Sequence, residues 1–444
     1  MTTLIQNAMV LPCSPGMPVI ERGYVAVDGT MISAVGDGDP PDIQGAEVID
    51  AGGDIVMPGM VNPHCHIPMT LFRGLGEDVD DRLFRYVLPM ERKFVSPEMV
   101  RIGTALGAWE SIAGGVTTIA DMYYFEAEVG RVLDAAGLRG VVGQTLANFD
   151  PPDHGSMDEG FALVDELADE FADNPRIRAS IAPHAPYSTD IAVMERVARY
   201  ATDHPDVPVQ LHLAEMNTEM DWAEKTHGCR PVEVVDRAGL LIDGLIAAHC
   251  LYLNEAEIAR LAETGVRVAH NARSNAKAGR GIAPIEALRA AGVPVGIATD
   301  GPMSGNTLDL FSQFSPVSMF AKLRGQSRKP MPANDVIAMA TREGAKVLGM
   351  EDEIGTLEVG KAADLIRIST AASRMQPIYD VYATLVFATM PDDVQDVMVA
   401  GQWLMREREV LTLERAKVLR DTGQIAAEFK AEMAAIDANQ ERTP

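Results

Sequence analysis

The feature that most constrains the fold is a repeated alternation of short apolar runs with helical patterns, from Met57 to about residue 350. Such repeats are typical of a parallel sheet covered by helices, and about eight of them indicate a closed (β/α)8 barrel. The clearest predicted barrel strands are 116–121, 177–182, 207–212, 245–249, 266–270 and 293–300. We therefore predict an α/β fold with a TIM-like barrel at its centre.

Both ends of the chain predict β-structure outside that barrel. The runs 23–27 and 31–35 flank a hairpin signal at 28–30, and strand-like runs return at 363–368 and 394–401. A strand region at each end suggests one small β-sandwich domain formed by both chain ends, with a helix from about 413 to 436. The predicted domains are 1–57 (first part of the sandwich), 58–352 (barrel) and 353–444 (second part and terminal helix).

Composition restricts the partners. The formal net charge of −26 disfavours nucleic acid and anionic membranes, because phosphate binding needs clustered Lys and Arg. No apolar run of about 18 residues appears, and the start of the chain lacks the pattern of a signal peptide. Four cysteines without a CxxC pair fit a reducing compartment. We expect a cytoplasmic homo-oligomer that acts on a small molecule and binds neither nucleic acid nor membrane.

A His-x-His pair follows the first predicted barrel strand. Side chains alternate faces along an extended chain, so His64 and His66 project the same way and form half of a metal site. Cys65, between them, faces the other way, and we expect it to serve in packing. Taken alone, such a pair is common by chance.

Further polar residues lie at the carboxyl ends of predicted strands, where barrel enzymes place their chemistry. They are His184, His212, Glu215, His249 and Asp300. His212 and Glu215 are three residues apart, so both reach one site only if the strand ends near Leu213. Asp300 precedes Gly301-Pro302, which ends its strand.

Three imidazoles and one carboxylate suit one divalent metal, Zn²⁺ with Fe²⁺ as competitor. Bound Zn²⁺ can lower the pKa of water to roughly 7. Glu215 is one ligand more than such a site needs, so we assign it the role of proton carrier. His270 is interpreted as a residue that positions a loop, and His154, His204 and His227, in polar turn-like stretches, as surface residues.

Six motifs in order resemble the amidohydrolase superfamily: PGMVNPHCH at 58–66, PHAPYS at 183–188, HLAE at 212–215, AHC at 248–250, HNARSNAKAGRGIAP at 270–284 and TDG at 299–301. GTLEVGKAADLI at 355–366 and VMVAGQ at 397–402 match the small domain of that superfamily. The resemblance covers nearly the whole chain. Within the superfamily it is strongest to deaminases of 5′-methylthioadenosine and S-adenosylhomocysteine, and the triazine and atrazine hydrolases share most of the motifs.

The resemblance implies roles for individual residues. Those matching the metal ligands are His64, His66, His212 and Asp300. Glu215 matches the acid that protonates the ring nitrogen, and His249 the residue that binds the attacking water. His184 matches a substrate-binding histidine, and Glu91 the glutamate that holds ribose hydroxyls.

Two departures from the superfamily pattern refine this picture. The segment 180–184 has no bridging lysine, so we expect one metal rather than two. Gln144 stands where relatives that accept homocysteine place an arginine, and no arginine lies near 156–157 for the second such position. The loss of an Arg clamp argues against S-adenosylhomocysteine as the preferred substrate and leaves a smaller aminated purine, pyrimidine, pterin or triazine open.

The implied function is hydrolytic deamination of an aminated heterocycle, an aminohydrolase acting on non-peptide C–N bonds of cyclic amidines. The first alternative is a triazine-type hydrolase that displaces chloride, an alkylamine or a thioalkyl group. Glu215 favours deamination, since chloride does not need protonation as ammonia does. A remote alternative is a non-catalytic scaffold, and the intact set of site residues argues against it.

Overall fold

The computed structural model describes residues 2–79 and 81–440. The strands are β1 (Thr2–Val10), β2 (Ile20–Asp28), β3 (Met31–Asp37), β4 (Glu47–Asp50), β5 (Ile55–Pro58), β6 (Met60–Cys65), β7 (Val116–Tyr123), β8 (Arg139–Leu146), β9 (Ile177–Pro183), β10 (Gln210–Leu213), β11 (Ile246–His249), β12 (Arg267–His270), β13 (Val295–Ile297), β14 (Leu365–Ile368), β15 (Val394–Val399), β16 (Gln402–Arg406) and β17 (Glu409–Val410). The helices are α1 (Leu88–Phe94), α2 (Pro97–Ala113), α3 (Glu126–Ala136), α4 (Met157–Phe171), α5 (Ile191–Asp203), α6 (Asn217–His227), α7 (Pro231–Arg237), α8 (Glu255–Thr264), α9 (Ala272–Lys277), α10 (Ile285–Ala290), α11 (Pro302–Gly305), α12 (Phe311–Arg324), α13 (Ala333–Ala340), α14 (Arg342–Val347), α15 (Val381–Phe387) and α16 (Arg415–Gln440).

Eight parallel strands form the centre of the fold, in two four-stranded sheets, β6-β7-β8-β9 and β10-β11-β12-β13. Backbone contacts join the sheets at both edges. At one edge Ile181 pairs with Val209 and the His212 amide donates to the His184 carbonyl at 3.0 Å; at the other the Asp300 amide donates to the His64 carbonyl at 3.2 Å. Helices alternate with the strands along the chain. This is a TIM-barrel-like α/β organisation, and closure into one continuous barrel stays a prediction.

The unit from β11 through α8 to β12 shows why the sequence folds this way. All of β11 is buried, as expected for a parallel strand covered on both faces. Asn254 and Glu257 form a capping box at the start of α8, and Gly265 ends the helix with a φ of 74°. Ile258 and Leu261 supply the buried face. The residues that start α8, supply its apolar face and end it therefore all lie within this short stretch of sequence.

A nine-stranded sheet combines both chain ends, in the order β17-β16-β15-β14-β5-β1-β2-β3, with β4 paired to β1. The two ends meet where Met57 of β5 pairs with Ile366 of β14. The pairing joins these strands in one sheet, and the two packed sheets of a sandwich stay a prediction. Arg139 at the start of β8 makes a buried bidentate ion pair with Asp364, at 2.7 and 3.1 Å, which ties this sheet to the central strands.

The predicted terminal helix is present as α16. Its Phe429 ring lies 4.9 Å from the rings of both Phe72 and Phe94. Tyr86 donates a hydrogen bond to Asp437 at 2.6 Å. The helix thus packs on the segment that follows β6. Among the described helices, none combines the length and apolarity that crossing a bilayer requires.

Candidate metal and catalytic site

The four predicted metal ligands meet at the carboxyl ends of the parallel strands. One ligand atom from each of His64, His66 and His212 lies within 4.8 Å of the others. Asp300 Oδ1 lies 3.4 Å from His66 Nε2 and 3.9 Å from His64 Nε2. His66 Nε2 and His212 Nε2 are 3.4 Å apart. Three imidazole nitrogens and one carboxylate oxygen therefore surround a common point.

Hydrogen bonds to carbonyl groups fix the tautomers of two of these rings. Nδ1 of His66 lies 2.6 Å from the carbonyl of Met122, and Nδ1 of His212 lies 2.8 Å from that of His184. A carbonyl only accepts, so each Nδ1 carries the donated hydrogen, which leaves Nε2 as the nitrogen that can present a lone pair to a cation once it is deprotonated. Nε2 of His64 is buried and has no hydrogen-bond partner among the described residues. This donor set fits a divalent cation.

Asp300 is held as an ionised carboxylate. Its Oδ2 accepts a hydrogen bond from the Ser274 hydroxyl at 2.5 Å, and its Oδ1 accepts from the Gly301 amide at 2.7 Å. Burial alone would raise the pKa of Asp300, but the bond from His66 and the nearby imidazoles hold it well below its ordinary value. Burial alone would lower the pKa of His66, and the Asp300 carboxylate instead raises it to about 9. The space between these two side chains favours a positive charge.

The backbone turns sharply where the site residues leave their strands. Ala214, His249 and Asp300 have φ values of 51°, 71° and 60°, in the left-handed region that side chains other than glycine rarely adopt. Such conformations cost free energy and persist only where the surrounding structure enforces them. Here they follow β10, end β11 and follow β13, and they direct the site side chains to one place.

His249 and Glu215 form the second part of the site. His249 Nδ1 lies 2.9 Å from Asn275 Oδ1, an acceptor, so its Nε2 faces the cluster, 3.5 Å from Glu215 Oε1. Glu215 Oε1 also accepts a hydrogen bond from Arg280. Burial alone would raise the pKa of Glu215, but His249, Arg280 and His212 hold it below its ordinary value.

Glu219 fixes the turn that presents Glu215. Its side chain, only 1% exposed, accepts hydrogen bonds from the amides of Ala214 and Glu215 at 2.9 and 2.7 Å. Burial raises the pKa of Glu219 to about 7, although these amides favour the ionised form. The first turn of α6 is thereby bonded to the end of β10.

The two residues predicted to contact substrate lie beside the cluster. Glu91 accepts a hydrogen bond from the Tyr123 hydroxyl at 2.7 Å, and the Tyr123 ring centroid is 6.4 Å from that of His66. Burial raises the pKa of Glu91. The His184 ring centroid is 4.8 Å from that of His212, and its Nδ1 bonds to the Ser188 hydroxyl at 2.6 Å. The structure brings both near the cluster, and their roles stay predictions.

The structure corrects the interpretation of His154. It is buried rather than on the surface, because Asp153 accepts from its Nδ1 at 2.8 Å. The same carboxylate accepts from Gln144 Nε2 and the Phe125 amide, both at 2.9 Å.

Cys65 packs away from the cluster, with Sγ 3.2 Å from Asp121 Oδ1.

Several contributors to the site were missed from the sequence, among them Ser274, Glu219 and Arg280. Ser274 and Arg280 belong to the motif at 270–284, but nothing in their spacing showed which side chains they would contact. Glu219 had a local signal, since it lies four residues after Glu215 and just after a strand end.

Comparison with known proteins gives the family. A model of the amidohydrolase family matches residues 55–404. The chain belongs to the amidohydrolase family. A 5-methylthioadenosine/S-adenosylhomocysteine deaminase of Syntrophobacter fumaroxidans is 37% identical over 431 residues, which cover 96% of this chain and 98% of that protein. One from Moorella thermoacetica is 37% identical over 419 residues, covering 94% and 96%.

Solved structures of similar proteins agree with this assignment. An adenosine deaminase from Xanthomonas campestris with bound zinc matches with a TM-score of 0.93 at 36% identity, over 97% of this chain and 98% of that one. An atrazine chlorohydrolase from Arthrobacter aurescens with zinc matches with a TM-score of 0.88 at 23% identity, over 96% and 100%. The second similarity shows the fold alone. The first similarity extends over nearly the whole length of both chains.

The ligand assignment predicts which histidine substitutions remove metal. We expect His212→Asn to lose most of the roughly one divalent ion per chain that such a site binds, since it removes one of four donors. His270→Asn is the matched control, because His270 also ends a parallel strand and is buried but lies outside the cluster. Metal content after dialysis, measured by mass spectrometry, checks this. Equal metal content in the two variants would contradict the assignment.

The buried Glu219 predicts a pH dependence of stability. Because its folded-state pKa of about 7 lies above the ordinary 4.5, the folded protein binds more protons than the unfolded chain between these values. The contribution of Glu219 to the free energy of unfolding therefore falls as the pH rises from 4.5 to about 7. Glu219→Gln should flatten this part of the profile in urea unfolding, whereas Glu224→Gln, exposed on the same helix, should not. If the slope of unfolding free energy against pH is the same in Glu219→Gln as in wild type, Glu219 is not the group that causes this pH dependence.

Proposed function

We propose that this chain is a metal-dependent hydrolytic deaminase of an aminated heterocycle, in particular an adenosine-type nucleoside, and that it releases ammonia. The observation that carries this is Glu215, a buried carboxylate 3.5 Å from His249 and beside the ligand cluster. A deaminase needs such a group because the amino group is a poor leaving group until it is protonated. The names of the relatives from Syntrophobacter fumaroxidans and Xanthomonas campestris support the same substrate class.

The residues of the chain divide the chemistry between them. One Zn²⁺ or Fe²⁺, held by His64, His66, His212 and Asp300, supplies Lewis acidity and an activated water at neutral pH. Zinc is favoured because the adenosine deaminase structure from Xanthomonas campestris, 36% identical to this chain, contains it. Asp300 accepts the proton of the attacking water, and His249 Nε2 orients that water. Glu215 is ionised in the free protein, so it first takes the other proton of that water and donates it to the ring nitrogen next to the carbon under attack. The proton accepted by Asp300 then passes by way of Glu215 to the departing amine.

Two side chains are proposed to bind the substrate away from the reacting carbon. His184 contacts the heterocycle next to His212, and Glu91 holds the ribose hydroxyls as a hydrogen-bond acceptor. Gln144 is bonded to Asp153, so an acidic group stands where an arginine would be needed to bind a substrate carboxylate. We therefore rank 5′-methylthioadenosine and adenosine above S-adenosylhomocysteine.

The wider organisation of the protein is part of the proposal. We propose a closed barrel over 58–352 and a small β-sandwich domain from 1–57 and 353–444. We also propose that the protein works in the cytoplasm as a homo-oligomer. Its four cysteines are free and buried, and large apolar side chains such as Phe84, Leu323 and Tyr379 are exposed.

The proposed activity is tested by ammonia release from metal-loaded protein. The panel contains adenosine, 5′-methylthioadenosine, S-adenosylhomocysteine, guanine, cytosine, a pterin and an aminotriazine, with adenine as a control for the ribose. We expect ammonia from the adenosine nucleosides and a higher KM for adenine, which lacks the hydroxyls assigned to Glu91. Ammonia from none of them, with chloride release from a chlorotriazine, would replace deamination by the triazine-hydrolase alternative.

Substitution of Glu215 tests the mechanism. Glu215→Gln keeps the size of the side chain but cannot deliver a proton, so we expect kcat to fall about 10²- to 10⁴-fold. The metal content should stay at the wild-type value, because Glu215 is not assigned as a ligand. Near wild-type kcat in this variant would show that another group carries the proton.

A further inference from the structure

Arg280 lies between two glycines in the loop that follows α9. Gly279 and Gly281 have φ values of 66° and 121°. Glycine adopts these conformations more readily than other residues, so the two glycines set the path of this loop. The Arg280 amide donates to the Asn275 carbonyl at 2.9 Å, and its own carbonyl accepts from the Tyr252 hydroxyl at 2.6 Å. The backbone of Arg280 is thus anchored while its side chain extends to the site.

The guanidinium of Arg280 bonds to the oxygen of Glu215 that faces the site. Nη1 donates to Oε1, the same atom that lies 3.5 Å from His249 Nε2. Among the described residues, Glu215 is the one carboxylate within ion-pair distance of Arg280. The Arg280 side chain is 30% exposed, whereas that of Glu215 is 11% exposed. The pair therefore lies at the boundary between the site and solvent, with the arginine on the outer side.

This contact conflicts with the role of Glu215 in turnover. A carboxylate oxygen that accepts a guanidinium N–H cannot at the same time carry the proton for a ring nitrogen at the same edge. The other charged or titratable groups that face Glu215 cannot replace Arg280 there. His212 is assigned as a metal ligand and His249 as the residue that orients the water, Asp300 is anionic, and Glu219 is bonded to two amides. Tyr187 is a neutral phenol, since burial raises its pKa.

We propose that Arg280 is a positioning residue that holds Glu215 in the free protein and is displaced from it by the ring nitrogen of the heterocycle. Because the Arg280 side chain is 30% exposed, it can turn to solvent while its backbone anchors stay in place. The cost of breaking the ion pair is part of the free energy of substrate binding, and heterocycles without a basic ring nitrogen next to the reacting carbon cannot displace it. This inference rests on the proposed deamination.

The kinetic test compares Arg280→Gln with wild type on 5′-methylthioadenosine. Without the ion pair, KM should fall about two- to fivefold, the range expected for a partly exposed pair, with kcat nearly unchanged. Arg280→Lys keeps the charge and should return KM toward the wild-type value. Arg324→Gln is the matched control, because Arg324 bonds to the Ile282 carbonyl in the same loop but does not touch Glu215. Its KM should not change.

Two kinetic results would overturn the proposal. A higher KM in Arg280→Gln would mean that Arg280 binds the substrate directly rather than giving way to it. A KM in Arg280→Lys as low as in Arg280→Gln would mean that the charge does not hold Glu215.

A second readout needs no turnover and so separates this inference from the proposed activity. In wild type the ion pair restrains residues 277–283, and Glu215→Gln removes the charge that Arg280 contacts. Hydrogen exchange of this loop should be faster in Glu215→Gln than in wild type, without any substrate. Equal exchange would contradict the pair. If no panel member releases ammonia, the proposed function fails while this measurement still reports on the contact.

Discussion

The organisation of the site depends on one constraint: the buried carboxylate of Asp300 and the nearby imidazole nitrogens need a positive charge between them. His64, His66 and His212 direct ring nitrogens at Asp300 in a largely buried space, and carbonyl groups fix two of the rings. Polar atoms buried without partners cost free energy, and a cation bound between them removes that cost. Metal binding is therefore coupled to the folded arrangement of strands that come from distant parts of the sequence.

The surrounding structure holds this arrangement through backbone turns that the chain would not adopt by itself. Ala214, His249 and Asp300 are left-handed where they leave their strands. Glu219 bonds to the amides after β10, and Ser274 bonds to Asp300. The Glu219 contact joins the end of β10 to the helix that follows it, and the Ser274 contact joins the helix after β12 to the residue that follows β13. Local strain at the site is offset by the packing of the parallel strands.

The sequence predicted the central part of this structure for physical reasons that are local. Strand alternation put His64 and His66 on one face, and the barrel rule put His212 and Asp300 at the same edge. His212 and Glu215 could reach one site only if their strand ended near Leu213, and β10 does end there. What could not be predicted depends on contacts between distant segments. Arg280 meets Glu215 across 65 positions, and no periodicity encodes such a pair. His154 was misplaced because its polar neighbours resemble a surface turn, whereas Asp153 bonds inward.

The most direct test of the central claim is to follow ammonia release as Zn²⁺ or Fe²⁺ is returned to chelated protein. The account predicts that activity on 5′-methylthioadenosine rises in proportion to bound metal and stops rising at about one ion per chain. Undiminished ammonia release from protein whose metal has been removed would contradict it, because the chemistry would then not depend on the four ligands at the strand ends.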